Sequence, residues 1–158
     1  MTTTDTGLEL GTTAPDFLLR DQFGQDVQLS SYRGQKAVAL VFYPFAFSGV
    51  CTSEMAAIRD RLDDFLTFDT EVLAVSCDPT YALRSWADAD GLNFPLLSDF
   101  WPHGEVTRRY GVFDEERGCP QRSSYVVDPE GLVRWSVHNA SPQGRDLDEL
   151  LRALRALA

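Results

Sequence analysis

Three cysteines and two histidines, Cys51, Cys77, Cys119, His103 and His138, are the residues of this chain whose types best suit nucleophilic, redox or metal chemistry. No two of them fall at the short spacings that hold a metal ion, so the sequence predicts no metal site. Cys51 differs from the rest in what surrounds it. The unbroken apolar run Ala37 to Tyr43 leads through residues 44–50 into Cys51, after which Met55, Ile58, Leu62 and Phe65 recur at spacings of 3, 4 and 3. This pattern is a strand covered on both faces, followed by an amphipathic helix that starts near the cysteine. In open α/β sheets, sites gather beyond the carboxyl ends of strands, which is where this arrangement puts Cys51. The first helical turn has unpaired N–H groups and the positive end of the helix dipole. Together with a nearby cation these bring a thiol from a pKa of ~8.5 into the ~3.5 to 7.5 range and make it a nucleophile. Position alone also admits the ordinary alternative, a small buried hydrophobe.

The elements that must hold such a cysteine are legible on both sides of it. Residues 1–11, with four threonines and two glycines, read as a flexible tail, and residues 12–158 as a single domain. Phe17 to Arg20 and Val27 to Leu29 flank a Gly-containing turn and predict an N-terminal β-hairpin. Glu71 to Cys77 predicts a second buried strand, Tyr81 to Ala89 a helix closed by Gly91, and Phe94 to Leu97 a further strand. Tyr125 to Val127 and Leu132 to His138 form a second hairpin around Asp128-Pro129-Glu130-Gly131, and Leu147 to Leu157 repeats apolar residues at helical spacing. The class is α/β with a mixed central sheet.

Composition narrows the function. A chain of 158 residues with 44% hydrophobic and 24% charged residues is globular, and buries roughly two-thirds of its unfolded surface in one core. Its net charge of -10 disfavours nucleic acid and anionic membrane as partners. Met1 to Leu10 contains no Lys or Arg before an apolar core, so no secretory signal is expected and the mature chain is expected to begin at Met1. The stretch Ala37 to Phe47 is interrupted by Pro44 and is too short to span a bilayer. An odd, small number of cysteines suits a reducing cytoplasm better than a secreted disulfide framework.

Pro44-Phe45-Ala46-Phe47-Ser48-Gly49-Val50-Cys51 resembles the Pro-x-x-x-Thr/Ser-x-x-Cys signature of peroxiredoxins, with Ser in the usual Thr position. The resemblance continues through Ala14-Pro15-Asp16-Phe17, Glu54, Phe94 to Asp99, Tyr110-Gly111-Val112 and Arg122 before Tyr125 to Asp128. It spans nearly the whole ordered chain. Ser98-Asp99-Phe100-Trp101-Pro102-His103-Gly104 is most similar to the one-cysteine alkyl hydroperoxide reductase E subgroup of actinobacterial type. The resemblance implies a thioredoxin-like fold, no cofactor, a dimer built from loops beside the active site, and an external thiol reductant. Mycothiol with a glutaredoxin-like protein, and thioredoxin, are the candidate reductants. The implied activity is thiol-dependent reduction of hydrogen peroxide and alkyl hydroperoxides, with peroxynitrite a further candidate, through a sulfenic acid on Cys51.

By the same resemblance Arg122 is the fixed guanidinium that favours the thiolate and follows charge to the leaving oxygen. Ser48 and the Cys51 N–H orient the peroxide, and Pro44 closes the pocket wall. Taken singly, Pro44 is a strand terminator, Ser48 an N-cap and Arg122 a surface arginine; their joint occurrence in family order makes them site residues. Glu54 suits a helix's first turn by itself and is carried over as the residue that positions Arg122. Cys119, expected in a loop, and Cys77, expected at a packed strand end, are the candidate resolving thiols, with a one-cysteine cycle preferred. His103 is read as solvated or capping. A disulfide oxidoreductase on the same fold would need a second thiol where Cys51-Thr52-Ser53-Glu54 has Glu. A non-enzymatic redox sensor or holdase is the remaining alternative, separated from the enzyme by fast peroxide turnover with a supplied thiol.

Overall fold

The computed structural model describes residues 8–138 and 145–157. The expected tail thus lies outside the described residues as far as residue 7, while Gly11 already donates its N–H to Val133 O at 2.7 Å. Nine strands and five α-helices follow among the described residues, in the order β1 (Leu18–Arg20), β2 (Asp26–Gln28), β3 (Ala37–Phe42), α1 (Gly49–Asp60), α2 (Leu62–Thr67), β4 (Thr70–Ser76), α3 (Thr80–Asp90), β5 (Leu96–Ser98), α4 (Glu105–Arg109), β6 (Phe113–Asp114), β7 (Cys119–Pro120), β8 (Ser123–Val127), β9 (Val133–His138) and α5 (Leu147–Leu157).

Seven strands form one sheet in the order β2-β1-β5-β4-β3-β8-β9. β3 is central, parallel to β4 and antiparallel to β8, and β4 is parallel to β5, so the sheet is mixed. The apolar run of β3 has no polar alternation because both its faces are covered. Ala39, Val41 and Tyr43 point toward Met55 and Ile58 of α1, Leu83 and Trp86 of α3, and Leu150 and Leu154 of α5. Val38, Leu40 and Phe42 point the other way, toward Phe17, Val106, Tyr110 and Tyr125. The N-terminal hairpin β1–β2 extends the sheet edge beyond β5.

The predicted helix through Phe65 is two helices. Arg61, at φ -113 and ψ 18, breaks the helical path while bonding Asp64 at 3.0 Å and Asp148 of α5 at 2.8 Å. The apolar stripe survives the break, since Met55, Ile58, Leu62 and Phe65 all still meet the same core. Cys119, expected in a loop, lies in the two-stranded ladder β6–β7, with Asp114 opposite Cys119 and Phe113 opposite Pro120. Asp114 folds that turn by accepting the N–H groups of Glu116 and Arg117 on its side chain and of Gly118 on its carbonyl. A two-residue strand ending in proline carries no periodic signal in sequence.

Candidate active site

Cys51 is the third residue of α1, fully buried, with Ser48 as the N-cap at φ -69 and ψ 152. The N–H groups of the first turn point toward this end of the helix with no intrahelical carbonyl to meet them. The Ser48 hydroxyl makes no capping hydrogen bond, so the ordinary use of a serine at this position is not the one it has here. Pro44 is buried where the chain leaves β3 for α1. Between them Phe47 takes φ +68, a left-handed conformation costing a side-chain-bearing residue about 1–2 kcal/mol.

Arg122 reaches the same place from a distant part of the sequence. It directly precedes β8, whose Ser123 lies opposite Phe42 at the carboxyl end of β3. Antiparallel pairing therefore brings the start of β8 beside the point where β3 releases the chain toward Cys51. Arg122 Nη2 donates to Cys51 Sγ at 3.5 Å, and Nε donates to Glu54 Oε1 at 3.0 Å. Burial opposes charge on this guanidinium, but Glu54 outweighs it and holds Arg122 above its ordinary pKa. Nη1 is buried without a partner among the described residues.

A second arginine completes the cluster. The Arg145 backbone N–H donates to Glu54 Oε2 at 2.8 Å, and its Nε lies 3.6 Å from the same oxygen. Its guanidinium also donates to Phe42 O, to Ser123 O at 2.8 Å and to Ser124 Oγ at 2.8 Å, stitching the ends of β3 and β8 together. Burial pushes Arg145 down to about 10, which leaves it charged at neutral pH. Two guanidiniums and one carboxylate, all nearly excluded from solvent, leave one positive charge in excess beside Sγ. Such a site suits a nucleophile that hands negative charge to an attacked oxygen.

Residues 10–136 match the sequence profile described as the AhpC/TSA family. Alkyl hydroperoxide reductase E of Mycobacterium tuberculosis is 47% identical over 150 residues, covering 95% of this chain and 98% of that one. The chain belongs to the AhpC/TSA family. Among solved structures, peroxidoxin BcpB of Mycobacterium tuberculosis superposes with a TM-score of 0.86 at 31% identity, covering 96% of this chain and 99% of that one. Enterococcus faecalis AhpC gives 0.85 at 32%, covering 93% and 90%. The fold is thioredoxin-like, and the chain is a peroxiredoxin, a thiol-dependent peroxidase that takes a peroxide as substrate and a thiol as reductant.

Of the site residues named from sequence, the structure brings Cys51, Glu54 and Arg122 into direct contact and sets Ser48 and Pro44 on the segment leading into α1. Cys119 and Cys77 are also buried, and all three thiols are free. Burial raises the Cys119 thiol, with Arg117 opposing and Asp114 and Cys51 adding to the rise. Burial, with the Asp99 carboxylate next in weight, pushes Cys77 up to about 12. Neither has an arginine donating to its sulfur among the described residues. His103 is exposed, with its ring nitrogens 3.2 Å from Phe100 O and 2.7 Å from Gly118 O, linking two turns. Arg145 was invisible to sequence reasoning: it lies 91 residues from Glu54, and no periodicity marks a single arginine ahead of a terminal helix.

Removing the shared charge tests the cluster. Glu54→Gln leaves two buried guanidiniums without their anion and should lower folding stability by about 3 kcal/mol, seen as a lower urea midpoint. An unchanged midpoint would show that the pairing contributes nothing.

Proposed function

We propose that Cys51 is the peroxidatic nucleophile of this peroxiredoxin, acting within a single domain of residues 12–158, with Arg122, Ser48 and Pro44 forming the peroxide site and Glu54 positioning Arg122. The observation that carries this reading is the 3.5 Å approach of Arg122 Nη2 to a Cys51 sulfur that is closed off from solvent. The thiolate attacks the terminal oxygen of ROOH in line with the O–O bond. An S–O bond forms, the O–O bond breaks, sulfur is oxidised by two electrons to sulfenic acid, and RO⁻ leaves to take up a proton.

Each residue has a part that its geometry supports. Arg122 faces both sulfur and peroxide, its Nη1, without a partner among the described residues, being the donor for the oxygen that gains charge. The Ser48 hydroxyl, unused as a cap, and the Cys51 N–H orient the peroxide. Pro44 offers no N–H and shapes the wall. Hydrogen peroxide and alkyl hydroperoxides fit this chemistry, with peroxynitrite as a further substrate.

An external thiol then condenses with the sulfenic acid, releasing water and forming a mixed disulfide, and a second thiol frees Cys51. Mycothiol with a glutaredoxin-like protein, or thioredoxin, fills this role. The cytoplasm, where such thiols are kept reduced, is the compartment that sustains the cycle. Resolution by Cys119 or Cys77 is the second reading. It draws on Cys119 lying three residues before Arg122, and is opposed by the complete burial and raised pKa of the Cys119 thiol. Exposed aromatic residues, among them Tyr81 at 88% and Trp101 at 83%, line one groove with Leu18 and Phe100 and supply the contact face for a homodimer.

Cys51→Ser should abolish rapid peroxide consumption. Arg122→Ala should slow single-turnover oxidation on the order of 30- to 1000-fold, with Arg122→Lys recovering only part because a point charge lacks the planar fork. Wild-type kinetics in either folded Cys51→Ser or Arg122→Ala would refute the corresponding role. After one equivalent of peroxide, a sulfenic-acid trap should label Cys51 equally in wild type and Cys119→Ser; a quantitative Cys51–Cys119 disulfide in peptide maps would establish internal resolution instead. Sedimentation should show a dimer that Tyr81→Glu weakens, and a monomeric wild type at micromolar concentration would remove the dimer.

A further inference from the structure

Residues 44–48 must hold a buried proline, a left-handed Phe47 and the Ser48 hydroxyl in fixed relation to Cys51, yet their backbone has few ties. Pro44 has no N–H to donate, and the Ser48 N–H turns back to Phe45 O at 3.4 Å. Among the described residues, one hydrogen bond joins this segment to the chain outside the segment and α1: the Ala46 N–H donates to Asp78 Oδ2 at 2.8 Å.

Asp78 is well placed for that work. It lies two residues past the end of β4, and because β4 runs parallel to β3, the connections leaving both strands emerge at the same end of the sheet. The carboxylate oxygen that takes the Ala46 N–H also accepts the Ser76 hydroxyl at 2.8 Å, and the Asp78 N–H donates to Ser76 Oγ at 3.3 Å. The Asp78 carbonyl accepts the Ser98 hydroxyl from β5 at 2.6 Å. Asp78 is thus fixed from β4 and β5, and its charge is paired with no Arg or Lys among the described residues. Its charged acceptor goes instead to a backbone donor of the active-site segment.

We propose that Asp78 is a positioning residue for peroxide attack: by holding Ala46 it sets Pro44 and Ser48 in register with Cys51, without touching the reacting atoms. The proposal rests on Cys51 being the nucleophile. Alignment of reacting groups is the part of catalysis most sensitive to small displacements, whereas reaction of Cys51 with an alkylating agent needs no such alignment. The two reactions should therefore separate when the Asp78 contact is lost.

The experiment compares the full-length wild type, Asp78→Ala and Asp78→Asn, with Cys51→Ser as the control for the nucleophile. Single-turnover oxidation of Cys51 by hydrogen peroxide and its alkylation by iodoacetamide are followed at one pH by peptide mapping. Asp78→Ala should lose between ~10- and ~100-fold in the peroxide reaction, with alkylation unchanged or faster. Asp78→Asn keeps an oxygen that can accept both hydrogen bonds and should stay within about threefold of wild type. If Asp78→Ala does not fold, Ser76→Ala, which removes the hydroxyl orienting the same oxygen, takes its place with a smaller loss in the same direction. An unchanged peroxide rate, an equal fall in both reactions, or an Asn variant as slow as the Ala variant overturns the proposal. Peroxide turnover surviving in Cys51→Ser would instead overturn the assignment of the nucleophile.

Discussion

One buried carboxylate, Glu54, holds two buried guanidiniums, and much of the remaining site follows from that charge imbalance. Arg122 and Arg145 approach opposite oxygens of Glu54, and all three side chains are at most 5% exposed. Ionic groups kept from water are tolerated when their hydrogen-bonding capacity is met and their charges nearly cancel. Here the protein atoms meet much of the first requirement, through Phe42 O, Ser123 O and Ser124 Oγ. They leave the second one charge short. The excess positive charge lies beside Cys51 Sγ, which accepts from Arg122 Nη2.

The sheet makes this cluster possible by geometry rather than by sequence proximity. Parallel pairing of β3 with β4 places the β3–α1 and β4–α3 connections at one end, and antiparallel pairing of β3 with β8 delivers Arg122 to that same end. Glu54 then needs only one turn of α1 to reach it, three residues past Cys51. Arg145, entering just ahead of α5, closes the assembly over the backbone of Phe42 and Ser123. The left-handed Phe47 is part of the same construction: a five-residue segment must turn from a central strand into a helix while keeping Pro44 inward, and the strain is held by its surroundings.

The three cysteines show how far environment separates residues of one type. Cys51 has an arginine donating to its sulfur and lies in the first turn of a helix. Cys119 is just as enclosed and Cys77 nearly so, and burial disfavours their charged forms. All three are buried, so what sets Cys51 apart is the guanidinium beside it and not its exposure.

How much of this was legible in the sequence depended on the range of the interaction. The strand Ala37–Phe42, the helix after it and the cysteine at their junction were readable because hydrophobic periodicity is a local consequence of which face is buried. Cys51 at a helix start was readable from local spacing, whereas Pro44, Ser48, Arg122 and Glu54 were named as site candidates by resemblance to a family pattern. The break at Arg61 was not, since the apolar stripe runs through it and the bond to Asp148 that accompanies it comes from the far end of the chain. Nor was the strand at Cys119, two residues long and defined only by its partner. The sequence by itself determined which face of each element is apolar and which cysteine begins a helix. Only the tertiary structure decided that Arg145 would share Glu54 and that Asp78 would hold Ala46, because contacts across 91 and 32 residues leave no local periodic signal.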